Sequence, residues 1–150
     1  MPATFSKILL HLIFSTHNRV LAIKPDLRDR LYAFIGGIVR DERGTLLCAG
    51  GTPDHVHLLV RWRTDAPIAD LLRNVKSRSS KWMHETFPEQ RDFAWQTGYG
   101  AFSVSHSQCD AVRQYIAEQA EHHRSRSFQD ELVEFLRAHE IEYDERYVWD

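Results

Sequence analysis

Residues 55–62, HVHLLVRW, alternate without a break: Val56, Leu58, Val60 and Trp62 fall on one side of an extended chain, and His55, His57, Leu59 and Arg61 on the other. That period of two belongs to a pleated strand. A strand with one continuous apolar face has to lie in a sheet whose face is covered by other elements. Gly51-Thr52-Pro53-Asp54 just ahead is turn chemistry, and Thr45 to Gly51 before it reads as a second strand, so the two predict a hairpin. The hairpin excludes an all-helical fold and sets two imidazoles on its less apolar face.

The rest of the chain supplies what would cover such a sheet. Residues 7–17, KILLHLIFSTH, read as a central strand, apolar in both alternating sets except for its histidines. Only Lys7 precedes the apolar patch Ile8–Phe14, and no small-residue cleavage site follows, so it reads as a strand and not an export signal. Pro25 opens a helix whose Leu27, Leu31, Phe34, Ile35 and Ile38 form one stripe, closed by Gly44. Pro67 begins another, with Ile68, Leu71, Leu72, Val75, Ser79 and Trp82 on one side and Arg73 and Lys76 off it. Phe93–Gln96 and Tyr99–Ser105 read as extended. Ser107 with Asp110 predicts a capped helix of about 15 residues, and Ser127 with Asp130 a last helix ending near His139. The tail IEYDERYVWD mixes acids with large apolar side chains, which predicts that it packs down. This order predicts an α+β layer: one antiparallel sheet with helices on one face, in a single domain over 1–150, with an acidic C-terminal helix and tail from about 127.

Charge is uneven. Net charge is −2 overall, but residues 129–150 hold eight acids against Arg137 and Arg146, a net of −6 that leaves +4 on residues 1–128. A mildly basic body with an acidic tail is compatible with phosphate contacts. No apolar run approaches the roughly 20 residues that span a bilayer. Cys48 and Cys109, far apart and without metal-ligand spacing, read as free thiols of a reducing cytoplasm.

His55 and His57, two apart on one strand, project from the same face and could share a divalent cation. Two imidazoles leave such a site incomplete. Tyr115 and Gln119 lie one helical turn apart, so Gln119 could add a carbonyl oxygen while Tyr115 attacks a phosphorus. Glu118 is the rival ligand, about 100° round the helix. His122 and His123 read as solvated partners of a helix C-terminus, and His11 as sheet packing.

Taken together, GGTPDHVHLLV at 50–60, WQTGYGAFSVS at 95–105 and YIAEQAEHHRSRSFQDE at 115–131, between an opening HLIFSTHNR and a closing YDERYVWD, resemble the single-tyrosine HUH transposases of insertion-sequence-200-like elements and their REP-associated relatives. HUH denotes histidine, hydrophobic residue, histidine. The resemblance implies a ferredoxin-like (RRM-like) sheet with a C-terminal tyrosine-bearing helix. It implies that His55, His57 and Gln119 hold magnesium or manganese and that Tyr115 is the nucleophile. It also implies DNA contacts at Lys76, with Arg73 and Arg78 beside it, although Ser-Arg-Ser-Ser follows Lys76 where the family has glycine. The implied substrate is single-stranded DNA with hairpins at element ends, cut through a 5′-phosphotyrosine. The implied worker is a homodimer with sites shared between subunits, in the bacterial cytosol and off the membrane. Two other readings differ in class: a non-catalytic or domesticated nucleic-acid-binding regulator, and a metal-dependent phosphoesterase using water.

Overall fold

The computed structural model describes residues 3–123 and 126–150; Arg124 and Ser125 of the 115–131 motif lie outside the described residues. Four strands, β1 (Ile8–Ser15), β2 (Thr45–Thr52), β3 (His55–Trp62) and β4 (Gly100–Val104), form one antiparallel sheet in the order β2-β3-β1-β4. Helix α1 (Pro25–Asp41) joins β1 to β2 and α2 (Ile68–Thr86) joins β3 to β4. The βαββαβ order with the first and third strands central is the ferredoxin-like arrangement. In register, Leu12 pairs with Leu58 and Ile13 with His57, so the two apolar faces line up and the histidines lie opposite the odd positions of β1.

The even face, Leu10, Leu12 and Phe14 with Val56, Leu58, Val60 and Trp62, packs under Leu27, Leu31, Ile35 and Ile38 of α1 and Leu71, Leu72, Val75 and Met83 of α2. These are the stripes the helical spacing predicts, except that Met83 is buried where the spacing places Trp82, and Ile68 and Trp82 are only partly buried; α1 and α2 share one face. The other face is covered by the C-terminal region: α3 (Cys109–Ala117), the short α4 (Gln119–His122) and α5 (Phe128–Ala138). Phe128, Leu132 and Leu136 of α5 join Ile13 and Phe102 in a second, smaller core, onto which Tyr143, Val148 and Trp149 of the tail pack. The segment 93–96 is no strand, but Trp95 bridges Thr16 and the Gln96 N–H donates to the Ser15 carbonyl at 2.9 Å.

Three local expectations change. Arg43, at φ 64°, takes the left-handed turn after α1, while Gly44 is required by close approach: a Cβ there would stand 2.9 Å from the Trp62 ring. Ser107 caps nothing, because its hydroxyl pairs with that of Ser105 at 3.2 Å, and a 3-10 turn over His106–Gln108 leads into α3 instead. The single long helix is broken at Glu118 (φ −99°, ψ 21°), which separates α3 from α4. Ser127 does cap α5, accepting from the Asp130 N–H at 3.2 Å.

Helix α3 sits on β2 without a side-chain spacer. A Cβ at Gly50 would collide with the Ile116 carbonyl oxygen and stand 2.9 Å from its Cγ2. Gly50→Ala should therefore lift α3 from the sheet and lower stability by about 1–3 kcal/mol, the usual cost of overpacking. Urea denaturation reads this; an unchanged midpoint would show that α3 is not seated on β2.

Candidate active site

Strand alternation sends His55 and His57 to the face opposite the main core, where neither is exposed at all. Their ring centroids are 5.1 Å apart. Each outer ring nitrogen has a partner of its own. His55 Nδ1 lies 2.7 Å from Asp54 Oδ1 and 3.0 Å from Thr52 Oγ1, and Thr52 donates its hydroxyl to the same carboxylate at 2.8 Å. The Thr52-Pro53-Asp54 turn thus orients the first histidine as well as reversing the chain. A carboxylate oxygen only accepts, so Nδ1 of His55 carries a proton. His57 Nδ1 instead meets His11 Nε2 at 2.8 Å, across from the neighbouring strand.

The inner nitrogens converge on a carboxylate. Glu131 Oε1 is 2.9 Å from His57 Nε2, 3.5 Å from His55 Nε2 and 3.2 Å from His123 Nε2. Its side chain is fully buried. Burial alone would raise the Glu131 pKa, but hydrogen bonds from His123, His55 and His57 outweigh it and hold the carboxyl well below its ordinary range. Burial likewise pulls His55 down, yet Asp54 and Glu131 lift it to about 9. For His57 burial prevails, at about 4, and for His11 burial and the His57 ring bring it to about 3. One imidazolium, His55, is therefore held between two acids while His57 and His11 stay neutral.

The helices bring the remaining groups. Gln119 is 1% exposed and its Oε1 lies 3.2 Å from His55 Nε2 and 3.1 Å from His123 Nε2. Glu118 turns outward, where it accepts from Gln114 at 3.0 Å, so of the two rivals only Gln119 faces the imidazoles. Tyr115 donates its hydroxyl to Glu131 Oε2 and receives Arg126 Nη2 at 2.7 Å. Burial, the Glu131 hydrogen bond and the Glu131 charge all raise its pKa above the ordinary phenol value. His122 stacks on the Tyr115 ring, centroids 4.4 Å apart, and it is His123 that reaches the cluster.

His55, His57, Tyr115 and Gln119 are thus brought together within one chain. Lys76, Arg73 and Arg78 are not among them: they ride on α2, across the sheet. Lys76 Nζ donates to the carbonyls of Gln96, Thr97 and Gly98 at 2.9, 3.1 and 2.6 Å and lies over the Phe14 and Tyr99 rings. Burial lowers its pKa to about 8, against which three carbonyls and two ring faces favour the ammonium. Arg73 and Arg78 are exposed and pair with Asp70 and Asp41.

Sequence reasoning missed Glu131 and misplaced His123. Glu131 was one of eight acids in a tail of net negative charge, yet it lies on the buried stripe Phe128, Leu132, Leu136 of α5. An acid at an apolar position of an amphipathic helix is the signal that could have found it. Ligand atoms of His55, His57, His123 and Glu131 lie within 4.8 Å of one another. Imidazole and carboxylate donors around a buried point, with a carbonyl oxygen beside them, fit a divalent cation of intermediate hardness.

The structure thus combines a histidine pair on a central strand of a ferredoxin-like sheet with a helical tyrosine that faces it. The chain belongs to the IS200-like transposase family, whose model matches residues 4–119. It is 24% identical over 114 residues to the ISDra2 transposase TnpA of Deinococcus radiodurans, covering 73% of this chain and 81% of that protein. The crystal structure of a candidate transposase from Deinococcus radiodurans R1 superposes with a TM-score of 0.64 at 25% identity, over 79% of this chain and 95% of the other. A REP-associated tyrosine transposase bound to a REP hairpin shares the fold, with a TM-score of 0.60 at 13% identity over 82% and 73% of the two chains. Glu131, His123 and Arg126 fall beyond the stretch the family model matches. No helix among the described residues is long and apolar enough to cross a membrane.

The buried histidines set a pH window for stability without added metal. His11 and His57 have folded pKa values below the ordinary 6.5, so the unfolded chain binds the extra protons and stability falls as pH drops below 6.5. Glu131 acts in the same direction at lower pH. His55 is raised to about 9; its contribution is complete below 6.5 and is lost as pH climbs through 9. In chelator, the urea midpoint should peak near pH 6.5, falling below it and also between 6.5 and 8; above pH 8 Lys76, whose folded pKa is lowered to about 8, acts in the opposite direction. A midpoint that rises between pH 6.5 and 8 would show that His55 is not the charged member.

Proposed function

We propose that the chain cleaves and rejoins single-stranded DNA at hairpin-bearing element ends, through a 5′-phosphotyrosine on Tyr115. The observation that carries this reading is the Tyr115 hydroxyl held at the carboxylate that also binds the inner nitrogens of His55 and His57. A nucleophile and a candidate cation site that share a ligand are close enough to act on one phosphodiester.

His55, His57 and Gln119, with Glu131, would hold magnesium or manganese. Bound there, the cation would withdraw charge from the non-bridging oxygens of the scissile phosphate. The protein's own groups do the rest. Tyr115 keeps its proton until attack, since its pKa is raised, and the nearest acceptor of that proton is Glu131 Oε2. Arg126 Nη2, 2.7 Å from the phenol oxygen, offers a positive donor to the developing charge. The phenol oxygen bonds to phosphorus, the bond from phosphorus to the 3′-oxygen breaks, and that oxygen leaves as a 3′-hydroxyl after taking up a proton. Because one phosphoester replaces another, a second 3′-hydroxyl can reverse the step and join strands without ATP. Arg73, Lys76 and Arg78 are proposed to lie along the DNA path. A cleft of about 620 Å³ is lined by Arg73 and Lys76 together with Trp95 and Tyr99, and aromatic rings next to cations suit an unpaired strand. Such an enzyme works in the bacterial cytoplasm.

Tyr115→Phe should abolish the covalent protein–DNA band on a denaturing gel, with manganese and labelled flanking DNA, and leave hairpin binding intact. An adduct that persists would mean a different nucleophile; binding by the native chain without any adduct would favour a regulator, and turnover without an adduct a water-using phosphoesterase.

The resemblance implies a homodimer with sites shared between subunits. A second reading is favoured by the position of Tyr115, which lies at the histidine pair of its own chain: a site completed within each subunit. Mixing Tyr115→Phe with His57→Ala subunits separates the two. Shared sites restore about one working site per mixed dimer, and sites within one chain restore none.

A further inference from the structure

His11 has no part in the chemistry above, yet it is 2% exposed and its Nε2 lies 2.8 Å from Nδ1 of His57. It pairs across the sheet with Leu59 on one side and Phe102 on the other, and the Phe135 ring meets it edge-on at 5.2 Å. An apolar side chain would suit those neighbours, so the imidazole needs a reason.

The reason lies in what His57 has to do with its two nitrogens. In the hydrogen-bonded arrangement described above, His57 Nε2 faces a carboxylate oxygen at 2.9 Å and must carry the proton. His57 is neutral, so its Nδ1 is then a lone pair, and His11 Nε2 donates to it. Holding a cation reverses this: Nε2 must offer its lone pair, Nδ1 must carry the proton, and Nδ1 then needs an acceptor. The partner at Nδ1 must donate in one arrangement and accept in the other. A lysine could only donate, which would deny the cation its ligand. An aspartate could only accept and would bury a second negative charge near Glu131. A phenylalanine could do neither.

We propose that His11 is a positioning residue of the ion site, an amphoteric partner whose own tautomer changes with that of His57. In the exchange the proton on His11 Nε2 passes to His57 Nδ1. His57 Nε2 releases its proton and His11 Nδ1 takes one up, so the pair carries two ring protons throughout. The contrast with His55 is built into the same strand: there Asp54 keeps Nδ1 protonated at all times, and no change of tautomer is needed. The inference rests on the proposed cation site and adds the residue that lets His57 enter it.

The test is a Mn²⁺ titration of the native chain, His11→Phe and His11→Gln, reading free Mn²⁺ by electron paramagnetic resonance, with melting temperatures in chelator alongside. His11→Phe, which keeps the packing, should lower affinity about 10- to 100-fold, the usual loss when the partner of a ligating imidazole is removed, while His11→Gln, whose amide can donate or accept, should stay within about threefold of native. Long-range ¹⁵N spectra of the native chain should show His57 protonated on Nε2 in chelator and on Nδ1 with saturating Mg²⁺. If His11→Phe does not fold, these spectra decide alone. Native-like affinity in folded His11→Phe, or a His57 tautomer unmoved by Mg²⁺, would overturn the proposal. A native chain that takes up no Mn²⁺ would overturn the cation site along with it; tight native binding with an indifferent His11→Phe would overturn this inference only.

Discussion

A single carboxylate with no solvent exposure holds the second face of the sheet in place. Leaving an ionised group in a protein interior costs several kcal/mol unless its oxygens are satisfied. Glu131 is satisfied by donors from four separate elements: His57 and His55 on β3, Tyr115 on α3, Gln119 on α4 and His123 after it. Helix α5 cannot be moved relative to the sheet without stranding that charge. The apolar cluster on this face is the smaller one, Ile13, Phe102, Phe128, Leu132 and Leu136, with Leu9, Leu59 and Ile116 buried on the same side, so polar satisfaction shares with burial the task of fixing the geometry. The larger core lies on the other face under α1 and α2. The fold thus separates the tasks: one side supplies stability, and the other spends some of it on a cluster of ionisable groups.

The backbone prepares that cluster at three points. The turn before β3 supplies both the reversal and the acceptor for His55 Nδ1, because Asp54 and Thr52 converge there. Gly50 lets the α3 backbone rest directly on β2, which sets the height of Tyr115 above the sheet. The break at Glu118 re-aims the chain just after that tyrosine, so that Gln119 turns inward while Glu118 stays outside. A continuous helix would also place Tyr115 and Gln119 on one side. The break adds His123, which the next turn delivers to the same carboxylate.

Legibility in the sequence followed how local each signal was. Strand period two made His55 and His57 readable, and helical spacing did the same for Tyr115, Gln119 and both stripes of the main core. The capping box at Ser107 misled because its hydroxyl had a nearer partner in Ser105, and Gly44 misled because a glycine can serve close packing as well as a left-handed turn. Groups whose role depends on long-range contact were not readable. Glu131 was hidden in a run of acids, and only its place on an otherwise apolar stripe distinguishes it. Lys76 read as a residue off the apolar stripe where the resemblance implies DNA contacts, and nothing local shows that its ammonium donates to the carbonyls of Gln96, Thr97 and Gly98, whose positions only the tertiary fold determines. His11 read as packing because nothing in a strand sequence says which residue lies diagonally across from it.

Electrostatics sets the condition under which the site can accept a phosphate. Asp54 and Glu131 are ionised and His55 is the charged imidazole, so these three groups together sum to one negative charge, beside which both nitrogens of His123 face acceptors only. For each excess negative charge left at the cluster, a phosphodiester brought to about 4 Å would meet a repulsion of roughly 4 kcal/mol at an effective dielectric of 20. Arg126 offsets part of this beside the phenol, but it also pairs with Glu134. A divalent cation at the cluster would replace the Nε2 protons of the histidines and turn the local balance from negative to neutral or positive. On the proposed function, the same buried carboxylate that organises the protein would make substrate entry depend on the ion: Glu131 holds Tyr115 in place, and its charge would oppose a phosphate until a cation offset it.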